Sequence, residues 1–401
     1  MSVLELALQR NKYKHLSDEE WRWFLQQAEG RERTADKLPA FADIEDWWYP
    51  VRLSCEQCSS EQTARYKASI VQASSSFVPC PLSLCTFLDL TAGYGVDTWF
   101  IGEHFGKTDY VEQNAELCRI AEHNFQFRIH NSQFTIYNTT AEAFLQTAGQ
   151  YDLIFADPAR RDSHGGKVFR LADCTPDVTE LLPALLQHLT PNGRLMFKLS
   201  PMLDITQAVN ELSLVPCALS PCTLTWDVHV VAVKNEVKEV LLFSARGQDI
   251  MYKGTITAID LAEPEKAFVF TKEEERNAPS SFQFSPFTFL YEPSAAILKA
   301  GAYKLVAQRF GLHKLDVNTH LYASDQLMKD FPGRVWKCLN EPINAKMVNG
   351  QTVNVVVRNY PLTPEQLKKK YRLKDGGDMY LIGCRVNGKP TLYTAERIEN
   401  K

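Results

Sequence analysis

The sequence predicts an α/β protein: a doubly wound, mainly parallel sheet ending in an antiparallel hairpin, with a helical segment before it and small α+β modules after it. Three observations carry this. From Thr86 onward, short β-branched or aliphatic runs alternate with amphipathic helical stretches, the pattern of parallel strands joined by crossover helices. Next, Trp226 to Val233 and Lys238 to Phe243 are separated only by the polar Lys234 to Val237, so one of the two runs antiparallel to its neighbour. After Arg246 the alternation stops and shorter strand and helix pieces follow.

In order, residues 1–80 read as a helical segment, with helices near 17–29 and 59–73 and a break at Trp47-Trp48-Tyr49-Pro50. Residues 81–246 form the sheet domain, with strands at Thr86 to Leu90, Asp109 to Glu112, Phe134 to Tyr137, Leu153 to Ala156 and Arg194 to Leu199. Val178, Leu181, Leu182, Leu185, Leu186 and Leu189 share one helix face, and Thr190-Pro191-Asn192-Gly193 supplies a helix stop and turn. Residues 247–324 form a small α+β module with strands at 255–261 and 267–270 and a helix over 294–310. Residues 325–401 form another, with strands at 335–339, 352–357, 379–386 and 391–398, a helix at 364–371 and a hairpin turn at Val386-Asn387-Gly388-Lys389.

Composition excludes several classes. With 45% hydrophobic and 23% charged residues in 401, the chain has apolar mass for two or three cores and is neither disordered nor fibrous. Met1 to Ser17 lacks the apolar core of an export signal, and no stretch approaches the roughly 20 apolar residues of a membrane span, so a cytoplasmic protein is expected. The ten cysteines then read as reduced thiols. A zinc ribbon needs two tight cysteine pairs, and only Cys55/Cys58 has that spacing, so no metal is expected and this pair is left without a role. The net charge of −4 hides an asymmetry: residues 325–401 carry 14 basic and 8 acidic side chains, a net +6, against −10 for the rest. A basic module on an acidic body is the footprint of nucleic-acid contact.

The chemistry concentrates around Phe87-Leu88-Asp89-Leu90-Thr91-Ala92-Gly93-Tyr94-Gly95-Val96-Asp97-Thr98, where a buried strand meets a glycine turn and a helix. Glycines let the backbone approach a ligand at the carboxyl edge of the sheet. Glu112, 23 residues after Asp89, ends the second strand, where a carboxylate accepts hydrogen bonds from ribose hydroxyls. A dinucleotide site wants a third glycine where Thr98 stands, and Asp89 repels a pyrophosphate but not a cationic sulfonium. At the end of the fourth strand, Asp157-Pro158-Ala159-Arg160 offers a carboxylate and a backbone carbonyl to an amino group.

These strings resemble class I S-adenosylmethionine-dependent methyltransferases over about residues 86–245. The resemblance implies a Rossmann-like sheet, S-adenosylmethionine as cofactor, and cofactor contacts at Asp89, Thr91, Ala92, Gly93, Tyr94, Gly95, Asp97, Thr98, Glu112, Gln113, Thr140, Ala141 and Asp157. It makes Asp157, Pro158 and Arg160 the catalytic loop and Pro191-Asn192-Gly193-Arg194 the turn before the fifth strand. Two positions depart from the family: Thr140 stands where an acid touches the adenine, and Arg160 where an aromatic residue stacks on the base. More narrowly, the chain is similar to a bacterial group of RNA methyltransferases ending in ferredoxin-like and THUMP-like modules. The strings that carry this are Leu53 to Glu61, Thr63 to Ala68, Asp157 to Asp162, Tyr291-Glu292-Pro293, Lys299-Ala300-Gly301 and Leu373 to Asp378. That likeness implies structured RNA, rRNA or tRNA, as partner through the basic C-terminal module.

Methylation at a pyrimidine carbon needs a nucleophilic cysteine after the fourth or fifth strand, but Arg160 and Ser200 stand there, with Cys174, Cys217 and Cys222 as poor candidates. A base nitrogen fits the Asp-Pro motif better. Arg161, Asp162, His164, Gly165 and Gly166 read as a lid or an ordinary polar loop, and Gln57, Glu61 and Lys67 as a cofactor cover or a plain surface helix. The alternatives are a non-catalytic RNA-binding protein with a degenerate pocket, a methyltransferase acting on protein or a small molecule, and an NAD-dependent oxidoreductase.

Overall fold

In the computed structural model, which describes residues 3–74, 81–127, 133–160, 170–213, 224–246, 254–282, 287–339 and 342–398, the five apolar runs become β1 (Thr86–Asp89), β2 (Lys107–Glu112), β3 (Gln133–Asn138), β4 (Tyr151–Ala156) and β5 (Leu189–Leu199). All four ladders among them are parallel. Two longer strands follow, β6 (Leu224–Val233) and β7 (Glu236–Arg246). The described residues divide into two units, 1–226 with 241–252 and 227–240 with 253–401.

In the first unit the strand order is β7-β5-β4-β1-β2-β3, the doubly wound arrangement expected. Phe87, Leu88, Leu153 and Ile154 have no exposed surface, because β1 and β4 are covered on both faces and so read as continuous apolar runs. Thr190 to Gly193, expected as a turn, instead lies inside β5: Tyr151 pairs with Leu189 and Leu153 with Arg194, so four residues bulge opposite Asp152 alone. Gly193 permits this, since a Cβ there would stand 2.7 Å from the Tyr151 carbonyl oxygen. The Asp152 carboxylate fastens the strands' amino ends, accepting from the Thr86 N–H (2.7 Å) and from the Thr190 hydroxyl (2.7 Å).

The helical segment folds against this sheet. Helix Asp18–Thr34 opens with a Ser17/Glu20 capping box and runs five residues beyond 29; Arg52–Gln57 and Glu61–Ala73 follow, the latter capped by Ser60. Between them Phe41 stacks on Trp47 at 4.1 Å, Trp47 Nε1 donates to the Tyr94 hydroxyl (2.6 Å), and Asn124 brackets the Trp48 backbone through both amide atoms. Each such buried aromatic contributes about 1.5–3 kcal/mol.

In the second unit the hairpin of β6 and β7 turns on two residues, Lys234 and Asn235, both with positive φ, so its turn is shorter than the expected 234–237. β8 (Ile256–Asp260) pairs parallel to β6 and antiparallel to β9 (Phe268–Phe270). A seven-stranded sheet contains β10 (Phe289–Pro293), β11 (His313–Asp316), β12 (Thr319–Ser324), β13 (Gly333–Cys338), β14 (Asn354–Arg358), β15 (Met379–Val386) and β16 (Lys389–Ile398) in the order β11-β12-β10-β13-β16-β15-β14. The first three of these were not anticipated, and the expected boundary at 324/325 falls between two strands of one sheet. Near-buried Glu292 on β10 accepts from Arg358 of β14 and pairs with Arg334 of β13 at 3.5 Å. The helix expected over 294–310 is two helices, Ala295–Ala300 and Leu305–Phe310, because Gly301 adopts φ +85° and ends the first. Helix Pro364–Tyr371 forms as expected, with Lys369 and Lys370 exposed and Lys368 paired with Asp375 at 2.7 Å. No described helix is long and apolar enough to cross a membrane.

Replacing Asp152 with Ala strands the Thr86 and Thr190 donors, so D152A should lower unfolding stability by about 2 kcal/mol. Urea unfolding that leaves the midpoint unchanged would remove this carboxylate from the set of strand anchors.

Candidate active site

The loops at the carboxyl ends of β1, β2, β4 and β5 surround a cleft of about 300 Å³. Of the residues expected to hold a cofactor, Asp89, Thr91, Ala92, Gly93, Tyr94, Gly95, Asp97, Glu112, Gln113, Thr140, Ala141 and Asp157 all line it. Thr98 is buried behind the turn and reaches the cleft through Asp89. Pro158 is buried and does not line it; Ala159 does, and the Arg160 backbone bridges to Cys174 while its side chain lies outside the described residues. Arg161, Asp162, His164, Gly165, Gly166, Cys217 and Cys222 also lie outside them.

The turn after β1 is built by its glycines. Gly93 and Gly95 have φ of +57° and +83°, and a Cβ on Gly95 would press on Phe125 at 3.0 Å, whereas one on Gly93 would meet nothing nearer than 4.0 Å. The turn therefore packs at Gly95 and stays open at Gly93. Glu112 holds the open side: one carboxylate oxygen accepts from the Gly93 N–H (2.9 Å), the other from the Asn114 N–H (2.8 Å). Each oxygen keeps a second lone pair, the capacity a ribose diol uses.

Asp89 has no exposed surface. It accepts from the Thr98 hydroxyl (2.6 Å) and the Thr91 N–H (3.2 Å). Burial pushes its carboxyl up to about 8, opposed by the Thr98 hydrogen bond and assisted by the charge of Asp97. Asp97 goes the other way. Burial raises it, but Lys67, Lys198 and a 2.7 Å hydrogen bond from Ser59 outweigh burial and bring it below the usual carboxylate value. Lys67, one of the three helix residues weighed as a cover or a plain surface, has no exposed surface and sits 3.1 Å from Asp97 Oδ1. Gln57 lines the cleft, while Glu61 accepts from the Ala40 N–H at 2.8 Å outside it. The same segment supplies Ser54, Cys58 and Ser59 to the lining. Both Cys55 and Cys58 donate to backbone carbonyls, and burial pushes the Cys55 thiol up to about 12.

On the sheet side, the Asp157 N–H donates to the Thr91 hydroxyl (2.7 Å), and Asp157 Oδ2 accepts from Lys198 at 2.5 Å. Lys198, at the end of β5, was missed at the sequence level. Its signal was a lone lysine in the apolar run Leu195-Met196-Phe197-Lys198-Leu199, at the end of a parallel strand. Thr140, in place of the acid expected near the adenine, caps the short helix Ala141–Leu145 through the Ala143 N–H (3.3 Å). The cleft thus offers carboxylates, hydroxyls and open backbone, and its glycine turn is open where a side chain would intrude. That donor set fits a hydroxyl-rich, cationic nucleoside ligand.

A ferredoxin-like domain family matches residues 289–332 and a THUMP domain-like family residues 342–397. Among solved structures, a candidate methyltransferase from Porphyromonas gingivalis W83 is 31% identical over 96% of this chain and 92% of its own, with a TM-score of 0.78. An rRNA methylase from Streptococcus thermophilus (14% identity, 45% of this chain and 96% of that one, TM-score 0.32) and human methyltransferase-like protein 13 in complex with SAH (17%, 48% and 85%, 0.35) match far less. No curated protein matches significantly.

Two predictions follow from the buried charges. K67M leaves Asp97 uncompensated and should cost about 3–5 kcal/mol in chemical unfolding, much of it recovered in the K67M/D97N pair; a K67M protein as stable as the parent would contradict the ion pair. Asp89, protonated in the folded state up to about pH 8 but ionised above about pH 4 when unfolded, stabilises most at low pH, and its contribution is lost as pH rises through 8. The melting temperature of D89N relative to the parent should therefore climb between pH 5 and 9, and a difference that does not vary with pH would show Asp89 to be ionised in the fold.

Proposed function

Because this chain belongs to the class I methyltransferase family that ends in ferredoxin-like and THUMP-like modules, we propose that it moves the methyl group of S-adenosylmethionine to a base nitrogen in structured RNA, rRNA or tRNA. The observation that carries this reading is the placement of Asp157: at the carboxyl end of β4, on the cleft, with its backbone tied to Thr91 in the glycine turn. One residue thereby connects the turn that would hold the donor with the group that would orient the acceptor.

The bound cofactor would supply an electrophilic methyl carbon on a sulfonium. Everything else falls to the chain. Glu112 and Gln113 would take the ribose, the open turn at Gly93 the amino-acid end, and Thr140 and Ala141 the adenine edge. Asp89, buried and held protonated near neutral pH, shapes the turn and adds no full charge. Asp157 would accept a hydrogen bond from an acceptor N–H and the Pro158 segment would bound the slot, so catalysis is alignment more than proton transfer. The net +6 of residues 325–401, with Lys369 and Lys370 exposed, suits a phosphate backbone.

The test is transfer of labelled methyl groups from S-adenosylmethionine to total RNA and, separately, to total protein, from cells lacking this chain. D157N should lower transfer to RNA at least 100-fold while calorimetric affinity for S-adenosylmethionine stays within twofold. Label entering protein alone would overturn the RNA assignment; cofactor binding with no transfer to either would favour a non-catalytic RNA-binding role.

A further inference from the structure

β4 and β5 end side by side: Ala156 pairs with Phe197, and the next residues, Asp157 and Lys198, both line the cleft. The side chain of Lys198 is only 13% exposed and rises from a strand whose Leu195, Met196, Phe197 and Leu199 are buried. Placing an ammonium there forfeits hydration, so it persists only where carboxylates replace water. One is Asp157, in direct contact at 2.5 Å. The other is Asp97, whose ionised form the Lys198 charge helps to stabilise after Lys67 has done most.

Asp157 is in turn held at two points. Its N–H is fixed by the Thr91 hydroxyl at 2.7 Å, and Oδ2 is fixed by Lys198. Rotation about the Cα–Cβ and Cβ–Cγ bonds is then restricted, and the two oxygens are no longer equivalent: Oδ2 points to the lysine, and Oδ1 is set relative to it by the planar carboxylate. We propose that Lys198 is a positioning residue that pins Asp157 Oδ2 so that Oδ1 presents one fixed hydrogen-bond acceptor to the nucleophile. In this contact the lysine donates, so it aligns the carboxylate and takes no proton from the substrate. The inference rests on the function proposed above and adds to it the group that sets the geometry of its key residue. Misplacing an aligned group by about an ångström costs on the order of 100-fold in rate.

The experiment compares K198M, K198Q and K198R in the full chain, using tritiated-methyl S-adenosylmethionine and total RNA from cells lacking this chain. Melting temperature and calorimetric cofactor affinity are measured on the same samples. K198M and K198Q should each lower the apparent kcat about 100-fold, with the apparent KM for RNA and the cofactor Kd within about twofold. K198R, which keeps the donor and the charge, should recover the rate to within about tenfold of the parent. In a D157N background, K198M should cost nothing further, because the lysine acts through that carboxylate. A folded K198M or K198Q that turns over at half the parental rate or better would overturn the assignment. So would a K198R as inactive as K198M, which would make the lysine a carrier of the acceptor's proton. If the parent itself transfers no label to RNA, the function proposed above fails first and this role falls with it, an outcome the parental control separates from the other two.

Discussion

The cleft depends on a charge that survives in the interior only because it is paired there: the Lys67 ammonium, without exposed surface, against Asp97 at the start of the helix after the glycine turn. Lys67 belongs to helix Glu61–Ala73, Asp97 to helix Val96–Gly102, and Ser59 adds a hydrogen bond from the loop before the first of these. The pair fixes where the N-terminal segment meets the sheet, and with it the positions of Ser54, Gln57, Cys58 and Ser59 on the cleft wall. Hydrophobic contacts alone would permit neighbouring packings of similar energy; a buried ion pair permits one, because any slip strands two charges.

Around that junction the acidic side chains divide their roles by environment. Asp89 is buried with neutral donors and so stays protonated far above the usual carboxylate range. Asp97 is as deeply placed yet ionised, because two lysines face it. Glu112, partly open, spends its charge on backbone N–H groups of the turn and the next helix. Asp157, the most exposed of the four, is held by one lysine and one hydroxyl. Four carboxyl groups crowd one cleft without mutual repulsion dominating, because each has a different partner.

Much of this was legible in the sequence, and the parts that were not have definite causes. Strands β1 to β5 announced themselves as apolar runs because both faces are covered, and ligand residues followed from being at their carboxyl ends. Lys198 was passed over because that strand end was searched for a nucleophile, not for a cation that serves another side chain. Lys67 was weighed as a surface residue since lysine has a strong prior for solvent; only the fold brings Asp97 to it. Thr190-Pro191-Asn192-Gly193 has turn composition and is nevertheless taken into β5, because Gly193 lets the backbone pass close to Tyr151 and Asp152 ties down the bulge. β10 to β12 escaped notice because they are four to six residues long and mix Tyr, Glu, His, Lys and Asp into their apolar positions.

Strand β13 lies outside both family matches, which end at 332 and begin at 342, and yet it pairs with β10 on one side and β16 on the other. Neither matched segment is therefore a self-contained building block. Excised alone, the ferredoxin-like piece would present the open edge of β10 and the THUMP-like piece that of β16, each a template for intermolecular strand addition, and Glu292 would be parted from both of its arginines. The shortest segment that preserves these pairings spans 287–398, so shuffling of either half between proteins must carry the connecting strand with it, and the two halves are expected to travel through evolution as one inherited piece.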